Sequence, residues 1–412
     1  MTSSDWREKY AYLIVNRAVP VRSGNEVVID IDMEAREFAP YLSDAAYQAG
    51  AKFVHVLYID PQIRRSRIRF APDEFLDDEP MNIQNGIRDI LIGGNNHILV
   101  FGGDPIAFSG LDEDRTARED VARWSAMAPV LRLMSDTRVM RTIVAYPTIE
   151  WAARLYPKMD REMALSELTD SIYSCCRLNT RDPAAAWDEH IASLNHRTSL
   201  FNEQRFEFIR YRGGDTDIEI GLPKNHKWAN AGGFMKRGLP VLVNLPTEEI
   251  FTSPHRDRVN GIAVASKNLF IGGHDFGKIT LSWKNGCLTS VDSDHNPAFI
   301  RKSLELDANA SHLGEVALVP QSSPIARANH PWMHLLYDEN SGSHLACGRA
   351  YPISIEGGPE MSDEKLINAG LNVSNQHLDF IIGTDDMEVI GRDINGREKI
   401  VMEGGEFTGD FA

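Results

Sequence analysis

The sequence predicts two domains of different build. An α/β N-terminal domain with a mostly parallel sheet spans residues 1–203, and an α+β, β-rich domain spans 204–412. Three observations carry this reading. Strand and helix patterns alternate through the first 145 residues, as in consecutive βαβ units. Residues 148–203 are helical in pattern and form the junction. After Gln204, short segments of period-two alternation separated by turn residues take over.

In the first domain, Trp6, Tyr10, Leu13 and Ile14 fall at helical spacing, so residues 5–18 read as an amphipathic helix. Gly24-Asn25 turns the chain into a strand over Val27–Ile31. A helix follows from Glu34 to Ala49, capped by Gly50, and Lys52–Tyr58 is the second strand. His97–Phe101 and Arg141–Ala145 extend the same sheet, with helical patterns near 82–93 and 117–134. Pro183 suits the first turn of a helix that carries Trp187, Ile191 and Leu194. The basic run Arg64, Arg65, Arg67 and Arg69 reads as a solvated face or a subunit contact.

In the second domain, Phe206–Tyr211 and Asp217–Ile220 alternate around Gly213-Gly214, a hairpin signal. Val241–Val243, Gly261–Val264, Lys278–Trp283 and Val316–Val319 are further strands. Asn285-Gly286 and Asn395-Gly396 are turns.

Composition narrows the function. Of 412 residues, 42% are apolar and 25% charged, a globular balance. A net charge of −16 argues against nucleic acid as a partner, because phosphates demand clustered Lys and Arg. No apolar run approaches the ~18 residues of a membrane span, and the polar N-terminus lacks a signal-peptide pattern. A cytoplasmic location is therefore expected. Cys175, Cys176, Cys287 and Cys347 form no Cys-x-x-Cys pair and read as buried, reduced thiols. Gly93-Gly94 and Gly102-Gly103 match no phosphate-binding loop.

The chemistry concentrates in the second domain. His377 and Asp379 are two apart on a predicted strand, so they share a face while Leu378 and Phe380 take the other. A surface hydrogen-bonded pair would explain His-x-Asp as well as a metal site does. His344 and Tyr351 are seven apart, about two helical turns, and read as one face of a short helix capped by Asn340 or Ser341 and stopped by Pro352. Glu248-Glu249 follows a predicted strand between apolar residues and prolines, with one carboxylate expected inward and the other in solvent. Glu315 stands beside the apolar run Val316–Val319, either half-buried and in want of a cation or at a strand edge. With Glu339, these groups offer an oxygen-rich, His-supplemented set suited to paired divalent cations such as Zn, Co or Mn.

These segments, in their order, resemble the thermophilic-aminopeptidase family of dinuclear metallopeptidases. The resemblance rests on Pro246-Thr247-Glu248-Glu249-Ile250-Phe251-Thr252, Leu313-Gly314-Glu315, Asp338-Glu339-Asn340 with His344, and His377-Leu378-Asp379-Phe380. Gly221–Trp228 adds to it, and it covers nearly the whole chain. Ser341-Gly342-Ser343 and Ile250 depart mildly from the family's usual residues, away from any implied ligand. The resemblance implies metal ligands at Glu249, Glu315, His344, His377 and Asp379. It implies Glu339 as a ligand or base, and Tyr351 as the catalytic tyrosine with Glu315 or Glu339 moving the proton. It further implies two bound divalent ions, peptide substrates with a free N-terminus, a metal-bearing C-terminal domain and a homodimer. Trp228, His226 and Phe251 are candidates for a substrate side-chain pocket. The alternative on a similar scaffold is a mononuclear iron(II) ring-cleaving dioxygenase with two His and one carboxylate, against which the additional carboxylates weigh.

Overall fold

The computed structural model describes residues 5–131, 133, 139–232, 234–236, 238–271, 274–328 and 330–412. The expected helix over 117–134 thus ends partly outside the described residues. The chain divides into two compact units. The first comprises residues 1–189, 232–246 and 272–274, and the second 190–231, 247–271 and 275–412.

The first unit is a parallel sheet wrapped by helices. Its strands are β1 (Glu26–Asp32), β2 (Phe53–Ile59), β3 (Asn96–Phe101) and β4 (Met140–Ala145), joined by the short strand Asn244–Leu245. The order is β2-β1-β3-β4 followed by Asn244–Leu245, with every pair parallel. Val27, Val28 and Ile29 are all buried, because helices cover both faces of such a sheet. The helices are α1 (Trp6–Leu13), α2 (Ala39–Gln48), α3 (Pro61–Phe70), α4 (Asn82–Ile92), α5 (Glu113–Leu131), α6 (Ile149–Leu155), α7 (Arg161–Cys175) and α8 (Pro183–Gln204). α8 runs from the first unit into the second along the chain.

Several boundaries follow local chemistry. α1 starts at Asp5, whose carboxylate accepts the Arg7 N–H at 3.1 Å. The segment from Glu34 begins as a 3-10 turn, and α-helical bonding starts only at Ala39, where Pro40 fits the first turn. Gly50 adopts φ +95°, the left-handed cap expected of it. Val241–Val243 does not form one strand: Leu239–Val241 and Asn244–Leu245 are separate.

Two expectations are corrected. The arginine run on α3 is not a bare solvated face. Arg64 meets Glu119 at 2.7 Å and also Asp120, Arg67 meets Glu79 and Glu119, and Arg65 donates to the carbonyls of Ala107 and Ser109. The charges therefore tie α3 to α5 within the unit. Among the cysteines, Cys175, Cys176 and Cys347 are buried free thiols, but Cys287 is exposed. It follows the Asn285-Gly286 turn on a sheet-edge strand, a place periodicity alone does not separate from a core position.

The second unit is built on two antiparallel sheets. Its strands are β5 (Phe208–Gly213), β6 (Thr216–Gly221), β7 (Ile250–Thr252), β8 (Val259–Val264), β9 (Ile279–Lys284), β10 (Cys287–Ser293), β11 (Leu313–Leu318), β12 (His344–Gly348), β13 (His377–Ile381), β14 (Glu388–Arg392), β15 (Glu398–Glu403) and β16 (Glu406–Phe407). The larger sheet runs β10-β9-β8-β6-β5-β14-β15-β16, and the smaller runs β7-β11-β12-β13. Asn285 (φ +51°) and Gly286 (φ +76°) make the tight turn between β9 and β10. Trp283 of the large sheet stacks on Phe380 of the small one at 6.4 Å, and the Tyr211 hydroxyl donates to the Ala317 carbonyl. One face of the small sheet is thereby sealed.

Glu119 is 2% exposed at its side chain and depends on α3 for its counter-charges. Replacing Arg64 with Met leaves Glu119 with Arg67, 3.5 Å away, as a counter-charge on α3. We expect urea unfolding of Arg64→Met to show a loss of about 3 kcal/mol, and Arg64→Met with Glu119→Leu to recover most of it.

Candidate metal centre

The open face of the small sheet carries the site, and strand register explains how. Residues paired across antiparallel strands share a face. Glu315 of β11 pairs with Ala346 of β12, which pairs with Asp379 of β13. One step along, Ala317 pairs with His344, and at the other end Gly348 pairs with His377. Functional side chains thus alternate across the strands with Ala and Gly, which leave room between them. Leu345, Cys347, Leu378 and Phe380 take the opposite, packed face.

β11 reaches this register through an irregularity between Leu313 and Glu315. Two residues there oppose one on β12, as in a β-bulge. Gly314 lies in it, where a Cβ would strike the carbonyls of Gly348 and Arg349. Gly348, at φ +105°, ends β12 with its Cα against the Gln376 carbonyl, another position closed to a side chain.

His344 and Tyr351 correct the sequence reading. They are not on a helix: His344 begins β12, and Tyr351 lies three residues beyond its end. The helical turn that was expected is earlier, at Leu335–Asp338 and Glu339–Ser341. Ladder bonds on both edges of β12 override the helical spacing of the segment.

Six of the seven singled-out residues are brought together by direct contacts. Glu249, Glu315 and His344 offer ligand atoms within 4.8 Å of one another, and so do Glu315, His377 and Asp379. Glu315 belongs to both groups. His344 Nε2 lies 3.4 Å from Glu249 Oε2, while His377 Nε2 lies 3.0 Å from Glu315 Oε2 and 3.2 Å from Asp379 Oδ1. Each imidazole turns its Nδ1 to a main-chain carbonyl: His377 to Arg349 at 2.8 Å and His344 to Gly342 at 3.3 Å. Such anchoring fixes the tautomer and aims Nε2 at the carboxylates, as in the outer shell of metal sites. The Tyr351 hydroxyl is 3.4 Å from His377 Nε2, and its ring meets Phe251 edge-on at 5.5 Å. Glu339, the seventh, stands outside both groups, with Oε1 accepting from Asn340 Nδ2 at 3.3 Å.

The electrostatics fit a cation. Burial, then Glu315 and Asp379, hold the Glu249 carboxyl well above the usual carboxylate range. Glu339 is raised likewise by burial and by Glu249, Asp379 and Glu315. Burial alone would lower His377, but Asp379 and Glu315 outweigh it and raise the imidazole well above its ordinary value. Burial alone would raise Asp379, and the neighbouring His377 reverses that. Burial and the carboxylates push the Tyr351 phenol well up, so it remains a donor. Without a cation, these carboxylates share protons and a charged histidine; a divalent ion replaces both.

Glu248 and Glu249 are both buried, which corrects the expectation that one faces solvent. Glu248 points away from the cluster, 3.5 Å from His190 Nε2. Of the candidates for a side-chain pocket, Trp228 packs on Phe201 in the core, His226 is buried beneath the Pro223 carbonyl, and Phe251 supports Tyr351.

The roles of two residues escaped the sequence reading, which took Asn340 only as a helix cap and part of a motif. Ser253 Oγ accepts the Tyr351 N–H at 3.1 Å. Asn340, fully buried, accepts the Glu248 N–H at 2.7 Å and donates to the Leu336 carbonyl at 3.0 Å as well as to Glu339. It ties the segment bearing Glu249 to the turn bearing Glu339. No periodicity marks such a residue, whose partner lies 92 positions away.

A His-and-carboxylate cluster on one open face of an antiparallel sheet, with a phenol donor at its edge, defines a metallohydrolase type of centre. The profile of the thermophilic metalloprotease family M29 matches residues 4–407, and the chain belongs to that family. It is 33% identical over 399 residues to aminopeptidase AmpS of Bacillus subtilis, covering 97% of each chain. It is 34% identical over 401 residues to aminopeptidase T of Thermus thermophilus, covering 97% of this chain and 98% of that one. The solved structure of wild-type AmpT from Thermus thermophilus superposes with a TM-score of 0.92 at 33% identity, covering 98% of this chain and 99% of that chain.

Asn340→Leu keeps the volume and removes these hydrogen bonds. We expect it to cost about 2 kcal/mol in urea unfolding, because the Glu248 N–H is then buried without its partner. We also expect weaker metal retention in a chelator competition.

Proposed function

We propose that the chain is a metal-dependent aminopeptidase that removes the first residue from peptides with a free N-terminus, and that residues 204–412 carry its catalytic domain. The observation that carries the reading is the pair of His-carboxylate groups joined by Glu315, in a chain similar along its whole length to aminopeptidases. Glu249, Glu315 and His344 would hold one divalent ion, and Glu315, His377 and Asp379 a second, with Zn, Co or Mn suited to the donors. When bound, such a pair supplies Lewis acidity that polarises the scissile carbonyl and eases deprotonation of water.

The chain's own residues do the rest. Glu315 is shared by both groups and is committed to ligation. Glu339 stands outside them and takes the proton from the attacking water on its carboxylate and returns it to the leaving amine. Its raised pKa suits a group that must hold that proton for part of the cycle. Tyr351 donates its O–H to the carbonyl oxygen as charge builds there. The surplus of carboxylates receives the substrate's cationic amine. The dioxygenase alternative needs two histidines on one ion, whereas each group here holds one histidine and two carboxylates.

A homodimer in the cytoplasm completes the reading. The family resemblance supports the dimer and the free thiols support the compartment. No helix among the described residues is long and apolar enough to cross a membrane.

The decisive assay strips the protein with chelator, reloads it with Zn, Co, Mn or Fe(II), and offers free and N-blocked dipeptides. Cleavage of free-amine peptides alone, restored by metal and abolished in Glu315→Gln, is the expected result. Silence on all peptides with a single iron held per chain would overturn it. Tyr351→Phe should lower kcat by about 10²-fold with KM little changed, and Glu339→Gln by about 10²- to 10⁴-fold.

Stability should depend on pH in a way that metal reverses. His377 is raised above its unfolded value of about 6.5, so its contribution is complete below that pH and is lost as pH rises through the folded value. Raised Glu249 and Glu339 act in the same direction, since their neutral forms suit the folded state. Within the cluster, Asp379, lowered, adds stability that is lost on acidification below about pH 4. Metal-stripped protein should therefore melt at lower temperature at pH 9 than at pH 6. Added Zn should raise the melting temperature more at pH 9, where its ligands release their protons readily.

A further inference from the structure

An open depression adjoins the cluster within the second unit. Leu269, Phe270, Met333, Leu335 and Ile381 form its apolar side, Asn268, His334 and Asp338 lie between them, and Glu339 and Asp379 reach it from the cluster. No lysine or arginine is among its described lining residues.

Its walls are held in place. Ser266 N–H donates to the Ile381 carbonyl at 2.8 Å, and Lys267 Nζ to the Ser341 carbonyl at 2.9 Å. Leu269 N–H donates to the Gly277 carbonyl at 2.8 Å. These bonds fix the wall made by residues 268–270. The opposite wall turns at Met333, whose φ of +52° is uncommon for a residue with a side chain. Asp338 stabilises that turn: Oδ1 accepts the Trp332 N–H at 3.2 Å and Oδ2 the His334 N–H at 2.7 Å. The Trp332 ring stacks on Tyr337 at 4.3 Å behind it. An off-region backbone conformation beside a reaction centre is a place where shape is kept for function.

In an aminopeptidase substrate, the first Cα lies between the free amine and the scissile carbonyl. Both of those groups must meet the cluster, so the first side chain leaves from beside it. The apolar depression that opens on Glu339 and Asp379 is in position to take it. We propose that this cavity is the subsite for the substrate's first side chain, that it selects apolar side chains of leucine or methionine size over acidic ones, and that Met333 sets its depth. Desolvation of an apolar side chain rewards entry, whereas a carboxylate would enter beside Asp338, Glu339 and Asp379 with no lysine or arginine among the described lining residues.

The proposal rests on the aminopeptidase reading, and the test separates the two. Met333→Gly suits the left-handed backbone and removes the side chain; Met333→Trp fills the space. The metal-loaded wild type and both variants are assayed on alanyl, leucyl, tryptophanyl and glutamyl p-nitroanilides. Each is also titrated with free L-leucine and L-tryptophan by calorimetry, which needs no turnover. The wild type should favour leucyl over glutamyl substrate by about a hundredfold. Met333→Trp should lower the leucyl-to-alanyl ratio of kcat/KM by about tenfold and weaken leucine binding, and Met333→Gly should raise the tryptophanyl-to-alanyl ratio by about fivefold. Ratios within twofold of wild type in both variants, with unchanged leucine binding, would overturn the assignment. A wild type that cleaves no substrate would defeat the aminopeptidase reading, and the leucine titrations would then decide the cavity alone.

Discussion

Four carboxylates crowded against two imidazoles set the terms for the second unit. Glu249, Glu315 and Asp379 are each less than a tenth exposed, and Glu339 adds a fourth negative group that the others feel. Burial of like charges is tolerated only if protons, cations or main-chain dipoles balance them. The surroundings therefore have to be rigid, since a loose cluster would swell, admit water and lose its affinity for a cation. The small antiparallel sheet supplies the rigidity. Its packed face is closed by Phe380 against Trp283, and its open face alternates charged groups with Ala317, Ala346 and Gly348.

The bulge at Gly314 shows how finely register matters in such a sheet. Without it, a one-residue slip would turn Glu315 into the apolar layer beside Leu345 and Cys347. The bulge re-aims that side chain while Val316 and Leu318 remain in the core. The two glycines at this corner are required by contact with main-chain carbonyls, not by flexibility. Backbone and charge thus constrain one another: the carboxylates need the register, and the register needs residues without a Cβ.

Much of this was legible in the sequence, and what was not has identifiable causes. The parallel strands of the first unit stood out because β-branched runs alternate with helical patterns, and β13 because His377 and Asp379 interrupt an apolar alternation. Leu345, Cys347 and their neighbours were misread as helical, since the seven-residue spacing from His344 to Tyr351 satisfies a helix as well as a strand and its end; only pairing on both edges decides. Burial of Glu248 was hidden because its partner His190 comes from α8. The arginines of α3 looked solvated because their acidic partners lie up to 56 residues away. Each failure has one form: a partner distant in sequence reverses what a local pattern implies.

The tripeptide Asp338-Glu339-Asn340 gathers the consequences. Successive residues of a helical or 3-10 turn point about 100° to 120° apart, so three in a row address three different neighbours. Asp338 clamps the main chain on either side of Met333. Glu339 faces the carboxylate cluster, and Asn340 holds the segment that carries Glu249. The wall of the cavity, Glu339 and the segment that carries Glu249 are thereby fixed to a single short turn. A shift in that turn would alter the shape of the cavity and the spacing of the cluster together. Under the roles proposed above, selection of the substrate and the chemistry performed on it are mechanically linked, and the link lies in an irregular segment that carries no periodic signal.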